Sequence, residues 1–193
     1  MSVPILASKL HLPRSDALIA RPHLFQQLTD GLNCKLILVA APAGSGKTSL
    51  VSAWIREIKS PVAWLSLDSV DSDPIRFISY LVAACQQIEP TTGQAVLDLL
   101  QSPQPPQFEI LIPLLLDDLA KLPHEQFLLV LDDYHLIAEL TIHEGMRLLL
   151  KHLPPQVHLL VIAREDPPFP LPTLRVRQQM AELRAKDLRF TTA

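Results

Sequence analysis

The chain has 193 residues, 48% of them hydrophobic, which is enough for one well-filled core and a small appendage. A formal net charge of -3 argues against a free-standing nucleic-acid binder, because neutralising a phosphate backbone needs a concentration of Lys and Arg that this chain lacks. The two cysteines, Cys34 and Cys85, have no metal or disulfide spacing and read as buried small residues of a reducing compartment; with no signal-peptide start and no apolar stretch of spanning length, the expectation is a cytoplasmic protein with no membrane partner.

Residues 1–20 carry Pro4, Pro13 and several basic residues without periodicity, which predicts an ordered arm lying over a domain that occupies 21–193. A short helix is expected from Pro22 to about Leu32. Lys35 to Ala40 is then a continuous apolar run, the pattern of a strand buried on both faces. It leads through Ala41-Pro42-Ala43-Gly44-Ser45-Gly46-Lys47-Thr48 into a helix from Lys47 to about Ile58, where Leu50, Val51, Trp54, Ile55 and Ile58 share one side. A second strand runs from Val62 to Leu67. Asp71, Ser72, Asp73 and Pro74 then signal a helix start, and Ile78, Leu81, Val82 and Cys85 give helical spacing up to Ile88. A short helix near Gln94 to Leu100 and a proline-rich loop follow. Phe108 to Leu122 reads as a buried helix in which Pro113 either marks the first turn or kinks it.

Phe127 to Leu131 is a third buried strand, ending at Asp132-Asp133-Tyr134-His135. A helix from Ile142 to His152 precedes a fourth strand, Val157 to Ala163, which stops at Arg164. Beyond the proline-rich bend at 167–172, a basic helix-like stretch is expected from Leu174 to Glu182, and a last strand near Leu188 to Thr191. Strands alternating with helices predict an α/β domain with a largely parallel sheet.

Three features carry chemistry. Backbone N–H groups curled at a helix N-terminus hold phosphate charge with the helix dipole favourably aligned. Gly44 and Gly46 permit the turns, Lys47 reaches the β and γ phosphates, and Thr48 offers its hydroxyl to Mg²⁺, so Ala41 to Ser49 is predicted to bind a nucleoside triphosphate, ATP or ADP with Mg²⁺. Ala41 stands where the usual pattern has its first Gly, a mild departure. The paired acids at a strand end fit a Walker B site better than a simple turn: Asp132 is expected to hold the metal and Asp133 to orient or deprotonate the attacking water. Tyr134 and His135 are expected only to pack beneath the site, and His135 receives no catalytic role because half-buried structural histidines are commoner. Arg164, directly after an apolar strand, is aimed at the edge where ligands of parallel sheets collect, and is expected to sense the γ-phosphate. Lys47, Asp133 and Arg164 are therefore the predicted catalytic set. Arg175, Arg177 and Arg184 read first as a solvated basic face and second as a phosphate or interdomain contact.

These motifs resemble the N-terminal nucleotide-binding domain of the MalT-type, large ATP-binding LuxR-family regulators, members of the STAND P-loop ATPases. The resemblance rests on Ser8-Lys9-Leu10 with Pro13, Ile19 to Leu24, Ala41 to Thr48, Trp64 to Asp68, Asp132 to Ile137, and Ala163 to Pro168 followed by Leu174-Arg175-Val176-Arg177. It implies a three-layer, AAA/STAND-like P-loop NTPase fold with a mostly parallel five-stranded sheet, in which the Arg164 strand lies between the P-loop strand and the Walker B strand. It also implies an adenine site lined by Ile19 to Arg21, slow hydrolysis that resets a switch, nucleotide-dependent self-association, and partner domains absent here: lid, winged helix, inducer-sensing repeats and a C-terminal helix-turn-helix. Direct nucleic-acid binding by this chain is not expected. Two other readings stay open on the residues alone, a small P-loop kinase of a metabolite with a lid near Arg175 and Arg177, and a non-catalytic scaffold that keeps the nucleotide for folding.

Overall fold

The computed structural model describes residues 3–13 and 21–189. In chain order its elements are α1 (Pro22–Asp30), β1 (Leu36–Ala40), α2 (Lys47–Ile55), β2 (Val62–Ser66), α3 (Pro74–Gln86), α4 (Gln94–Leu100), α5 (Phe108–Ala120), β3 (Phe127–Asp132), α6 (Leu140–His152), β4 (Val157–Ala163), α7 (Leu171–Val176) and β5 (Met180–Arg184). The strands form one sheet in the order β2-β3-β4-β1-β5, with every neighbouring pair parallel. Parallel neighbours require long crossovers, and here the crossover helices cover both faces of the sheet.

β1, β3 and β4 are buried at every position, which is why they read as unbroken apolar runs. Leu36, Leu38, Leu129, Leu131, Leu159 and Val161 pack on one face with residues of α3, α5 and α6. Ile37, Val39, Leu128, Val130, Leu160 and Ile162 pack on the other with Leu24 and Leu28 of α1 and Leu50, Val51 and Trp54 of α2. At roughly 2 kcal/mol for each fully buried Leu or Ile side chain, these two layers supply most of the drive to fold. The α/β sandwich and its strand order are those expected, with β4 between β1 and β3.

The segment before the sheet lies along edge strand β2. A 3-10 turn at Ala7–Leu10 buries Leu10 in the larger core. Lys9 pairs with Asp68 (2.6 Å) and with the fully buried Asp71, which Arg76 also holds (2.8 Å). Tyr80 accepts from the Leu6 N–H (3.1 Å) and donates to the Pro4 carbonyl (3.3 Å). Asp73 caps α3 by accepting from the Arg76 N–H, with Pro74 in the first helical position, as its sequence signals.

The region after Arg164 differs from expectation. The stretch Leu174–Glu182 is not one helix: α7 stops at Val176, Gln178 adopts a left-handed conformation (φ 54°), and Met180–Arg184 becomes β5, in register with β1 from Leu36 to Ala40. Met, Ala, Glu, Leu and Arg favour helix locally, but the open edge of β1 offers backbone partners that override propensity. No strand begins at Leu188, which lies in the turn after β5 and is buried against the smaller core; residues 190–191 of that expected strand lie outside the described residues. α2 ends at Ile55 rather than Ile58, because the following amides of Arg56 and Glu57 bond three residues back, to Ala53 and Trp54. Pro113 sits inside α5 on an exposed position. Cys85 is buried as expected and burial pushes its thiol to about 12, but Cys34 is only half-buried.

Candidate functional site

The C-terminal edge of the sheet gathers residues from three adjacent strands. β1 delivers the loop Ala41 to Gly46, held to β4 by the Ala41 N–H donating to the Ala163 carbonyl (3.2 Å). Gly44 and Gly46 both have φ of 77°, a region that costs an L side chain about 1 kcal/mol or more. No atom lies within 4 Å of a methyl built on either one, so the requirement for glycine is conformational and the hollow above the loop is open. The Ser45 hydroxyl donates to the Pro42 carbonyl (2.7 Å) and tightens the loop.

Lys47 opens α2 and is 7% exposed. Its Nζ donates to the carbonyls of Ala41 (2.7 Å) and Pro42 (2.9 Å), which fixes the ammonium at the mouth of the hollow. Burial holds its pKa below the usual lysine range; Asp133 and Asp132 act in the opposite sense and Arg164 adds to the lowering. Ser49 follows Thr48 in the first turn of α2.

Asp132 ends β3, 4% exposed, and accepts from the Thr48 hydroxyl (3.0 Å) and from the Asp133 N–H (3.0 Å). Burial first, and the neighbouring Asp133 charge second, push its carboxyl up to about 6. Such a concentration of negative charge beside a hydroxyl fits a divalent cation held jointly with phosphate oxygens, the arrangement Mg²⁺ favours over an all-protein cage. Asp133 is left-handed (φ 57°), with a side chain 46% exposed. Arg164 follows β4, exposed, without a hydrogen bond or ion pair among the described residues, yet close enough to bias both Lys47 and His135 electrostatically.

Thus Lys47, Thr48, Asp132, Asp133 and Arg164 share one sheet edge. Arg21 stands just before α1; its guanidinium donates to the Leu188 carbonyl (2.7 Å) and lines a groove with Phe25, Trp54 and Glu57. Its predicted companions Ile19 and Ala20 lie outside the described residues. Arg175 and Arg184 do not form a free basic face: both bind Glu182, and Arg184 also binds Asp166. Tyr134 is buried and its hydroxyl shares a hydrogen bond with His143 Nδ1 (2.9 Å). His135 is the residue that sequence reasoning set aside; its place two residues after Asp133 was the available signal.

Residues 17–162 match the family model described as AAA ATPase domain. The chain belongs to this family. Membership implies nucleotide binding, usually with Mg²⁺. The chain is 40% identical over 190 residues to the HTH-type transcriptional regulator MalT of Cronobacter sakazakii (strain ATCC BAA-894), covering 97% of this chain and 21% of that protein. It therefore spans about a fifth of the length of the curated relative. Among solved structures, a chain of Drosophila ORC bound to AT-rich DNA and Cdc6 has a TM-score of 0.53 at 17% identity, over 85% of this chain and 53% of that one. The Walker-type ATPase of Pyrococcus abyssi has a TM-score of 0.51 at 17% identity, over 76% of this chain and 45% of that one. Both likenesses concern the fold. This AAA ATPase domain is related to MalT, and no helix among its described residues is long and apolar enough to cross a membrane.

Proposed function

We propose that the chain binds ATP with Mg²⁺ and hydrolyses it slowly, as the switch module of a signal-responsive, MalT-type transcriptional regulator. The observation that carries this reading is the convergence of β1, β4 and β3, which brings Lys47, Arg164 and the Asp132–Asp133 pair to one edge and joins Thr48 to Asp132. The amides of Ala43 to Ser49 and the Lys47 ammonium bind the β and γ phosphates. Thr48 and Asp132 hold the metal, which when bound neutralises phosphate charge. Asp133 orients the attacking water and accepts its proton, while Arg164 contacts the γ-phosphate, so that ATP and ADP leave different contacts behind.

That difference is what a switch needs, since a nucleotide shifts an equilibrium only by its unequal affinity for the two forms. In the regulator proposed here, ADP favours a closed resting form and ATP with an inducer a self-associating one, both requiring further domains. The kinase alternative is disfavoured because the segment it would use as a lid is docked on the domain: Leu171 and Leu174 of α7 belong to the core and Arg175 is tied to Glu182. Isothermal titration of nucleotide-free protein with ATP and ADP in Mg²⁺ tests the reading. Binding is expected in the parent chain and absent in Lys47→Ala, and Asp133→Asn is expected to lengthen the lifetime of bound ATP. Equal lifetimes would return the site to the scaffold alternative.

A further inference from the structure

His135 is the centre of a second arrangement at the same edge. It lies in the 3-10 turn Tyr134–Leu136 with a side chain 8% exposed, and neither ring nitrogen has a hydrogen-bond partner. Buried, unpartnered donors and acceptors are rare because each forfeits its interaction with water, so a ring with two of them calls for an explanation. Its Nδ1 stands 3.8 Å from Asp133 Oδ1. Burial lowers the ring's proton affinity, Asp133 raises it, and Arg164 and Lys47 lower it further; in either protonation state the ring has an N–H to give. Asp133 is held in a left-handed backbone conformation, with its side chain half-exposed.

We infer that His135 is a positioning residue for Asp133: its Nδ1–H closes on the Asp133 carboxylate and fixes which oxygen faces the attacking water. The inference rests on the reading of this edge as an ATP-hydrolysing site. Shortening the present separation by roughly 1 Å reaches ordinary N–H···O length. One Asp133 oxygen is then anchored by the ring and the other left to accept the water's proton. The left-handed turn and the buried ring would serve the same purpose, a carboxylate that does not swing between orientations.

The test has one arm that needs no nucleotide. Nitrogen-resolved NMR of the imidazoles in the full chain is expected to show His135 protonated on Nδ1, and that preference is expected to disappear in Asp133→Gly, which tolerates the left-handed backbone but removes the acceptor. A proton on Nε2 in the parent chain, or an unchanged tautomer in Asp133→Gly, overturns the inference. The second arm is single-turnover hydrolysis of bound ATP. His135→Phe is expected to lower the rate about tenfold with ATP and ADP affinities within twofold of the parent, and His135→Asn, whose amide offers a donor at the Nδ1 position, is expected to recover most of it. In the Asp133→Asn background His135→Phe is expected to add less than twofold. An additive loss, or a loss of affinity matching the loss of rate, counts against positioning. If the parent chain binds no nucleotide or turns none over, the ATPase reading fails while the tautomer arm still decides whether His135 serves Asp133.

Discussion

Thr48 and Asp132 lie 84 positions apart and are joined by a hydrogen bond in which the Thr48 hydroxyl donates to Asp132 Oδ1 over 3.0 Å. The bond does not fully offset the burial of the carboxylate, whose pKa is pushed to about 6 from an ordinary value near 3.8. A carboxyl raised on folding stabilises the native state only while protonated: the benefit is complete below the unfolded value and is lost as pH rises through about 6. Asp132→Asn, which keeps an acceptor for Thr48, is therefore expected to stabilise the nucleotide-free domain at pH 8 by on the order of 2 kcal/mol, a gain that shrinks between pH 6 and 4. The same substitution is expected to weaken Mg²⁺-dependent ATP binding at least tenfold. Urea unfolding at pH 8 and 4.5, with parallel titrations, checks both; equal unfolding midpoints at pH 8 would contradict the argument.

Gly46→Ala separates conformational cost from occupancy. The new methyl meets nothing within 4 Å, so its cost to the free protein is the left-handed backbone alone, about 1 kcal/mol. Because the methyl projects from the loop that is proposed to wrap phosphate, nucleotide affinity is expected to fall tenfold or more. Thermal unfolding and calorimetric titration of the same preparation provide the comparison, and an affinity loss no larger than the stability loss would remove the loop from the binding site.

Asp71 is fully buried and satisfied by Lys9, Arg76 and the Asp68 N–H (2.9 Å). Removing the shared acid leaves Lys9 with the half-exposed Asp68 alone and Arg76 without a carboxylate, a loss of charge-assisted hydrogen bonds that costs about 2–3 kcal/mol. Asp71→Ala should accordingly lower the urea midpoint sharply and expose the segment before Pro13 to protease. Lys9→Ala should expose the same segment at a smaller loss of stability, since Arg76 still neutralises Asp71. Resistance to cleavage in both variants would show that the clasp is not what holds the arm.

Glu182 accepts two hydrogen bonds from Arg175 (2.6 and 3.0 Å) and two from Arg184, one of them from Nε (2.8 Å) and the other from Nη2, and these partners draw its carboxyl down to about 2. An acid depressed on folding stabilises the native state above its unfolded value, near 4.5, and that contribution is lost as pH falls through about 2. Glu182→Gln is expected to lower the unfolding midpoint at pH 7, with a difference from the parent that narrows below pH 4.5. A gap that stays constant down to pH 3 would assign the loss to packing.

Four of the five strands were readable because each had to be apolar on both faces, and the phosphate loop because its glycines, lysine and threonine must stand in fixed order. β5 was not, since Met180 to Arg184 is built of good helix formers and becomes a strand only because β1 has an unpaired edge. The Lys9–Asp71 pair spans 62 positions and leaves no local pattern. Gly145, inside α6, looks like a weak point in a helix; it is where the Phe108 ring of α5 occupies the space a side chain would need. His135 was passed over for a related reason: the absence of partners for a ring is a property of its surroundings.

The strand order also governs when the site can exist during synthesis. β1 obtains its partner β4 only across most of the chain, a separation marked by His158 Nδ1 donating to the Cys34 carbonyl 124 positions earlier (2.8 Å). A growing chain therefore carries the phosphate loop on a strand with two bare edges until residue 163 has left the ribosome, and closure of so distant a pair is slow. A ligand that needs the loop in its native place would therefore stabilise a nearly complete domain rather than an early intermediate.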